Sequence, residues 1–215
     1  MPLEILSVIA DPMPPEESVD RRLGAAFFEA VRATAPRTVV TEVDLYAEPP
    51  PFFDYRTYRY LWYPVGRPGY TPSPEEEEAG AYARAMAARF NRADVVTVAT
   101  PMWNYSVPAI LKAWIDQVIC PGQTYRLMPD GPVPLHRVKR MLVFATSGGA
   151  YAVDDPRDCL LRLVRCAFGF IGIGDVAAVW AEGQNRRLFP DAPERLERAM
   201  VRAAELGREI AAGRA

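Results

Sequence analysis

Three short stretches hold the residues whose types and spacing can do chemistry. The first is Pro101-Met102-Trp103-Asn104-Tyr105-Ser106-Val107-Pro108, a thioether and two aromatics beside an amide and a hydroxyl. Such side chains can line an apolar slot for a flat ring, while backbone groups around Asn104 and Tyr105 meet the ring's polar edge. The second is Ser147-Gly148-Gly149-Ala150-Tyr151, whose glycines let the chain approach a ligand closely. The third runs from Asp11 to Asp20 and includes Ser18 and Val19, with Glu16 and Glu17 adding charge.

Much other chemistry has no residues to perform it. The single histidine, His136, rules out a multi-histidine metal site, and Cys120, Cys159 and Cys166 form no CxxC pair. No metal ligand set is therefore expected. His136 lies in the Pro- and Arg-containing stretch GPVPLHRVKR and is expected on a surface loop. No GxSxG, Walker A or GxGxxG pattern follows a strand, and GFIGIG at 169–174 has the wrong spacing. Cys159 and Cys166 lie seven apart, on one helical face, and are expected to be packed inside as reduced thiols.

These residues need a scaffold, and 215 residues with 50% apolar content suffice for one domain with a sizeable core. The balance of 25 basic and 27 acidic residues gives no overall pull toward nucleic acid or an anionic membrane. The opening MPLEILSVIADP lacks the basic region and cleavage pattern of a signal peptide. No apolar run reaches membrane-spanning length, so a cytoplasmic protein is expected.

Hydrophobic patterning predicts strands at 3–10, 38–43, 94–100, 138–146 and 175–181. Between and after them, helices are predicted at 18–34, 107–119, 156–170 and 193–212. Ser73, Pro74 and Glu76 read as a capping box that starts a further helix, which gives the acidic run 75–78 a structural role. Alternating strands and helices imply an open parallel α/β sheet with helices on both faces. In that architecture a ligand sits beyond the carboxyl ends of the strands. All three chemical stretches then fall there, at 11–19, 101–107 and 147–155. The segment 50–72 is too long and too aromatic for a plain connection, and it reads as an insertion. Its ring hydroxyls favour a lid or a surface covered by a second subunit over a dry core.

The stretch 101–108, together with Leu111, Lys112, Trp114, Ile115 and Asp116, resembles the FMN-dependent NADH-azoreductase and quinone-reductase family of the flavodoxin-like superfamily. Pro121, Gly122 and Thr124, the loop ATSGGAY at 145–151 and GFIGIGDVAAVWAEG at 169–183 extend the likeness over nearly the whole chain. The resemblance implies a five-stranded parallel sheet of order 2-1-3-4-5. It implies FMN held by Ser18, Val19, Asp20, Pro101, Met102, Trp103, Asn104, Tyr105, Ser147, Gly148, Gly149 and Tyr151. NADH or NADPH would be the co-substrate, and a quinone, azo compound or similar small aromatic molecule the acceptor. It further implies a homodimer with the site at the interface, Phe170 reaching the partner's site and Tyr58 and Trp62 lining the substrate's place.

The first loop departs from the family's pattern, in which serine hydroxyls and helix-start amides hold the flavin phosphate. Here Asp11 and Asp20 stand at the outer serine positions, and only Ser18 remains. Like charges about 4 Å apart repel by roughly 1 kcal/mol in water and roughly 4 at an effective dielectric of 20. Gly148 also replaces an arginine of the family's glycine loop. Two functions follow from the residues. One is an FMN-dependent oxidoreductase with an altered phosphate pocket. The other is a flavodoxin fold that has lost FMN and binds or transforms an aromatic molecule, with Asp11 and Asp20 as a coupled acid–base pair.

Overall fold

The computed structural model describes residues 2–151 and 155–213. Fourteen elements follow one another among them. In order they are β1 (Glu4–Ile9), α1 (Val19–Thr34), β2 (Val39–Asp44), α2 (Tyr55–Gly66), α3 (Pro74–Ala79), α4 (Ala81–Arg92) and β3 (Val95–Pro101). Then come α5 (Ala109–Val118), β4 (Tyr125–Met128), β5 (Gly131–Pro134), β6 (Arg140–Thr146), α6 (Cys159–Phe170), β7 (Asp175–Ala181) and α7 (Ala192–Ala211).

The five long strands pair in parallel in the order β2-β1-β3-β6-β7, and β4 and β5 form a separate antiparallel hairpin. With the hairpin set aside this is the 2-1-3-4-5 order. Side chains alternate between two cores, as a period of two requires. Leu6, Val8, Val96 and Val98 face Phe90, Trp114 and Phe168 of α4, α5 and α6. Ile5, Val95, Ala99 and Phe144 face Leu23 and Phe27 of α1 and Leu196 and Ala203 of α7. A Cβ at Gly207 would come within 2.5 Å of the Phe27 carbonyl oxygen, so α7 can lie this close to α1 only with glycine there.

Element ends follow local chemistry. Ser18 caps α1, accepting from the Arg21 amide at 3.1 Å. Asp158 caps α6 by accepting from Leu161 at 3.0 Å, so the helix starts at Cys159 and not at Pro156. The capping box at Ser73 and Glu76 is present, and Glu76 also binds Arg59 and Tyr70, which ties α3 to α2.

Two expectations need correction. Cys159 and Cys166 share a helical face, but it is the exposed one. The core side of α6 is taken by Leu160, Leu161, Val164 and Phe168. His136 is half-buried instead of lying at the surface: Nε2 is 3.1 Å from the Ile171 carbonyl oxygen and the ring meets Phe90 edge-on. Burial pulls its pKa down, which keeps the imidazole neutral. The aromatic segment contains the regular helix α2, which buries only Thr57 and Leu61. Phe53, Tyr60 and Trp62 pack around Leu61, Ala83 and Cys120, while Tyr55 and Tyr58 stay exposed. Among the described residues no helix is long and apolar enough to cross a membrane.

Candidate functional site

β3 ends at the carboxyl edge of the sheet, beside the end of β6. Pro101 pairs with Thr146 at the last register position, and the Met102 amide donates to the Thr146 carbonyl at 2.8 Å. The chain then reverses in a two-residue hairpin. Trp103 and Ser106 exchange both backbone hydrogen bonds, at 2.9 and 3.0 Å. Asn104 and Tyr105 at its tip have φ of 49° and 67°. Left-handed backbone costs a residue with a side chain about 1–2 kcal/mol. Asparagine tolerates it; tyrosine has no local hydrogen bond to offset it. The conformation is held from outside, because the Tyr105 carbonyl accepts from the Cys159 amide at 3.0 Å, at the start of α6. Met102 is half-buried, while Trp103 and Tyr105 stand 44% and 50% exposed at the sheet's carboxyl end, outside both cores.

The glycine loop after β6 sits beside this turn. Tyr151 meets Tyr105 edge-on, with ring centroids 6.3 Å apart. The loop is zipped to the segment after β7, whose residues were not anticipated from the sequence. Gly183, Gln184 and Asn185 donate backbone N–H groups to the carbonyls of Gly149, Ser147 and Gly148. The Trp180 indole donates to Ser147 Oγ at 2.8 Å, and that hydroxyl donates to the Gly149 carbonyl at 2.8 Å. The Tyr151 amide donates to Glu182 Oε2 at 2.8 Å, and Arg195 holds the other carboxylate oxygen at 2.9 Å. A Cβ added at Gly148 would meet nothing nearer than Asn185, at 3.8 Å, so packing does not demand glycine there. The part of this loop at 152–154 lies outside the described residues.

The two aspartates of the first loop come together as a pair bridged by Ser18. Asp11, Ser18 and Asp20 are all essentially inaccessible, and Val19 is half-buried at the first position of α1. Ser18 Oγ donates to Asp11 Oδ2 at 2.6 Å and lies 3.0 Å from Asp20 Oδ1. Asp11 Oδ1 accepts from the Met13 amide at 3.1 Å, whereas Asp20 Oδ2 is buried without a partner. Burial first, then the charge of Asp11, pushes the Asp20 pKa up to about 8. Arg21 turns aside, to Asp44 and to the Met13 carbonyl.

The residues expected at the substrate gather elsewhere. Trp62 and Phe170, far apart in sequence, line one apolar cleft of about 500 Å³ with Phe53, Ile115, Ile119 and Leu163. Tyr58 stacks on Trp62, with centroids 6.4 Å apart. α6 begins against Tyr105 and ends at Phe170. At 1.5 Å per residue that puts roughly 16 Å of helix between Phe170 and the turn, while Lys112 and Asp116 of α5, the helix that follows the turn, line the same cleft.

An open parallel sheet of this order, with a strained turn and a glycine loop at its carboxyl edge, defines a flavodoxin-like protein. The family model described as "Flavodoxin-like fold" matches residues 4–206. A relative from Gluconacetobacter diazotrophicus, an FMN-dependent NADH:quinone oxidoreductase, is 34% identical over 86% of this chain and 90% of its own. Another of the same description, from Brevibacillus brevis, is 30% identical over 94% and 96%. A crystal structure of an FMN-dependent NADH-azoreductase from Bacillus anthracis, in complex with FMN, aligns with a TM-score of 0.84. Its identity to this chain is 25%, over 97% of this chain and 99% of that one. The chain belongs to the FMN-dependent NADH:quinone oxidoreductase and azoreductase family of the flavodoxin-like fold.

Proposed function

We infer that this protein is an FMN-dependent NAD(P)H oxidoreductase that reduces a quinone, azo or similar aromatic acceptor. The observation that carries the reading is the turn at 103–106. A tyrosine held left-handed and half-exposed does nothing for the core, and it lies where members of this fold bind ligands. FMN, when bound, supplies two-electron transfer from NADH or NADPH to the acceptor. Met102 and Trp103 offer apolar surface for its ring, and backbone groups of Asn104 and Tyr105 offer donors and acceptors to the polar edge. Ser147, Gly148, Gly149 and Tyr151 border the pyrimidine side, with Gly148 free of packing duties. Ser18, Val19 and Asp20 border the phosphate.

The phosphate end fits in one protonation state. Two buried carboxylates would oppose an anion, but a carboxyl with a pKa near 8 is mostly neutral at pH 7. Asp20 is itself inaccessible, so its neutral form removes a repulsion and makes no contact of its own. Asp11 accepts from the Ser18 hydroxyl and the Met13 amide. Neither carboxyl is open to a substrate, so a flavin-free acid–base reaction at this pair has no support.

The chain works as one domain and as a homodimer. Phe170, at the opposite end of α6 from its own turn, together with Trp62 and Tyr58 completes the partner's site, where a small aromatic acceptor is held. Three free thiols accord with a reducing cytoplasm. The test is a visible spectrum of purified protein with added FMN, followed by NADH and NADPH oxidation with a quinone. Saturable flavin binding and acceptor-dependent NAD(P)H consumption are expected; no flavin binding sinks the reading.

A further inference from the structure

The face of the sheet that meets α1 carries one polar row. Glu42, Ser7 and Thr97 stand side by side on β2, β1 and β3, at matching register positions. The neighbouring rows pair Ile5 with Val95 and Ile9 with Ala99, as an apolar core requires. Ser7 is 4% exposed and Thr97 1%, yet neither hydroxyl has a hydrogen-bond partner among the described residues. A buried hydroxyl without a partner destabilises the fold, and alanine and valine of similar shape would avoid that cost.

Both residues line a groove of about 250 Å³ between α1 and the edge strand β2. Gly24, in the middle of α1, lines it too. Glycine weakens a helix interior, and packing does not call for it here. A Cβ at Gly24 would meet nothing nearer than the Phe144 ring, at 3.7 Å. Phe28, Ala99 and Phe144 supply apolar wall. Arg32 borders the groove from the helix and Glu42 from the edge strand, and among the described residues neither makes an ion pair. Arg21, which also borders it, is paired with Asp44. None of the residues placed at the flavin, at 18–20, 101–105 or 147–151, lines this groove.

We propose that the groove binds a small zwitterion of amino-acid size, at a site separate from the flavin's. The proposal does not rest on the flavin-dependent function. The lining divides such a ligand into three parts. Glu42 only accepts hydrogen bonds, and the two hydroxyls beside it can accept as well, so the row suits an ammonium group. Arg32 offers a guanidinium to a carboxylate. Phe28, Ala99 and Phe144 suit an apolar side chain. With Arg21 assigned to Asp44, the remaining charges of the lining cancel, and a ligand without net charge answers both.

The experiment titrates L-phenylalanine and L-leucine into the purified protein, read by calorimetry and by ligand-observed NMR. Phenylpropionate, which lacks the ammonium, and phenethylamine, which lacks the carboxylate, are the comparison probes. Saturable binding of at least one amino acid is expected, with both comparison probes weaker by about tenfold or more. Gly24→Leu extends a side chain into the groove, and the double variant Ser7→Ala, Thr97→Val makes its floor apolar. Each should weaken amino-acid binding by about tenfold or more. The double variant should unfold at the same urea concentration as wild type or a higher one, because it loses no hydrogen bond within the protein. FMN affinity should be equal in wild type and both variants. No saturable binding of either amino acid, a comparison probe that binds as well, or binding that survives in either variant overturns the proposal. So does a double variant that unfolds more easily, since the hydroxyls would then serve the fold. A parallel loss of FMN affinity would make the groove part of the flavin site and overturn its separateness.

Discussion

At Asp20 burial puts a stability cost on a single carboxyl. Its pKa is about 8 in the folded chain and an ordinary 3.8 when exposed. Between those values the folded chain holds a proton that the unfolded chain has released. The unfolded state binds fewer protons, so stability falls as pH rises from about 4 to about 8, and this contribution levels off above. Asp20→Asn keeps the shape and removes the ionisation. Its stability advantage over wild type should grow by about 2–4 kcal/mol between pH 5 and pH 8, given about 1.4 kcal/mol per pH unit as the ceiling. Urea unfolding at the two pH values measures it, and an equal difference at both would mean Asp20 is ionised throughout. The two aspartates and Ser18 were legible as a group because they share one short loop before a helix start. Trp180, Glu182 and Arg195 were not. They reach the glycine loop only because β6 and β7 end side by side, and no spacing within the sequence encodes that adjacency.

At the scale of elements, strands and long helices were legible because burial on one face imposes a period of two or near 3.6. The central strands β3 and β6 are buried along nearly their whole length, and α7 buries Leu196, Ala199, Ala203, Leu206 and Ile210. α2 escaped because its buried side is only Thr57 and Leu61, and its aromatics pack sideways or toward solvent. α6 showed its face correctly but not its direction, so Cys159 and Cys166 were placed inside. The 103–106 turn was recognisable by residue type, yet its backbone was not, since tyrosine is a poor choice for a left-handed position. That mismatch supplies a test. Tyr105→Gly removes the backbone strain and the ring together. Relief of about 1–2 kcal/mol is offset by the greater freedom of glycine in the unfolded chain, about 0.4–1 kcal/mol. Stability should stay within about 1 kcal/mol of wild type, while flavin affinity falls tenfold or more. A large loss of stability with flavin affinity intact would make Tyr105 a packing residue.

At the scale of the whole molecule, the place of Phe170 at the opposite end of α6 from the turn bears on how a complete site is built. Phe170 is 47% exposed at the far end of α6, where it shares a cleft with Trp62. In a two-fold dimer each such patch meets its counterpart, so residues from both chains can frame one pocket. Exposed apolar clefts of this kind are also what a subunit contact covers. Complementation between protomers tests the arrangement. Phe170→Ala leaves a protomer with a sound turn and no aromatic to lend. Trp103→Ala leaves one that can lend Phe170 and has a damaged turn. Each homodimer should be poor in quinone reduction. Mixed and allowed to exchange, half of the dimers are heterodimers, and each of these joins one sound turn to one sound Phe170. Activity should recover to about one quarter of wild type, the statistical fraction for two-fold exchange. A mixture no more active than its parts, in protein shown by light scattering to exchange, would mean that each chain completes its own site and that Phe170 serves only the surface.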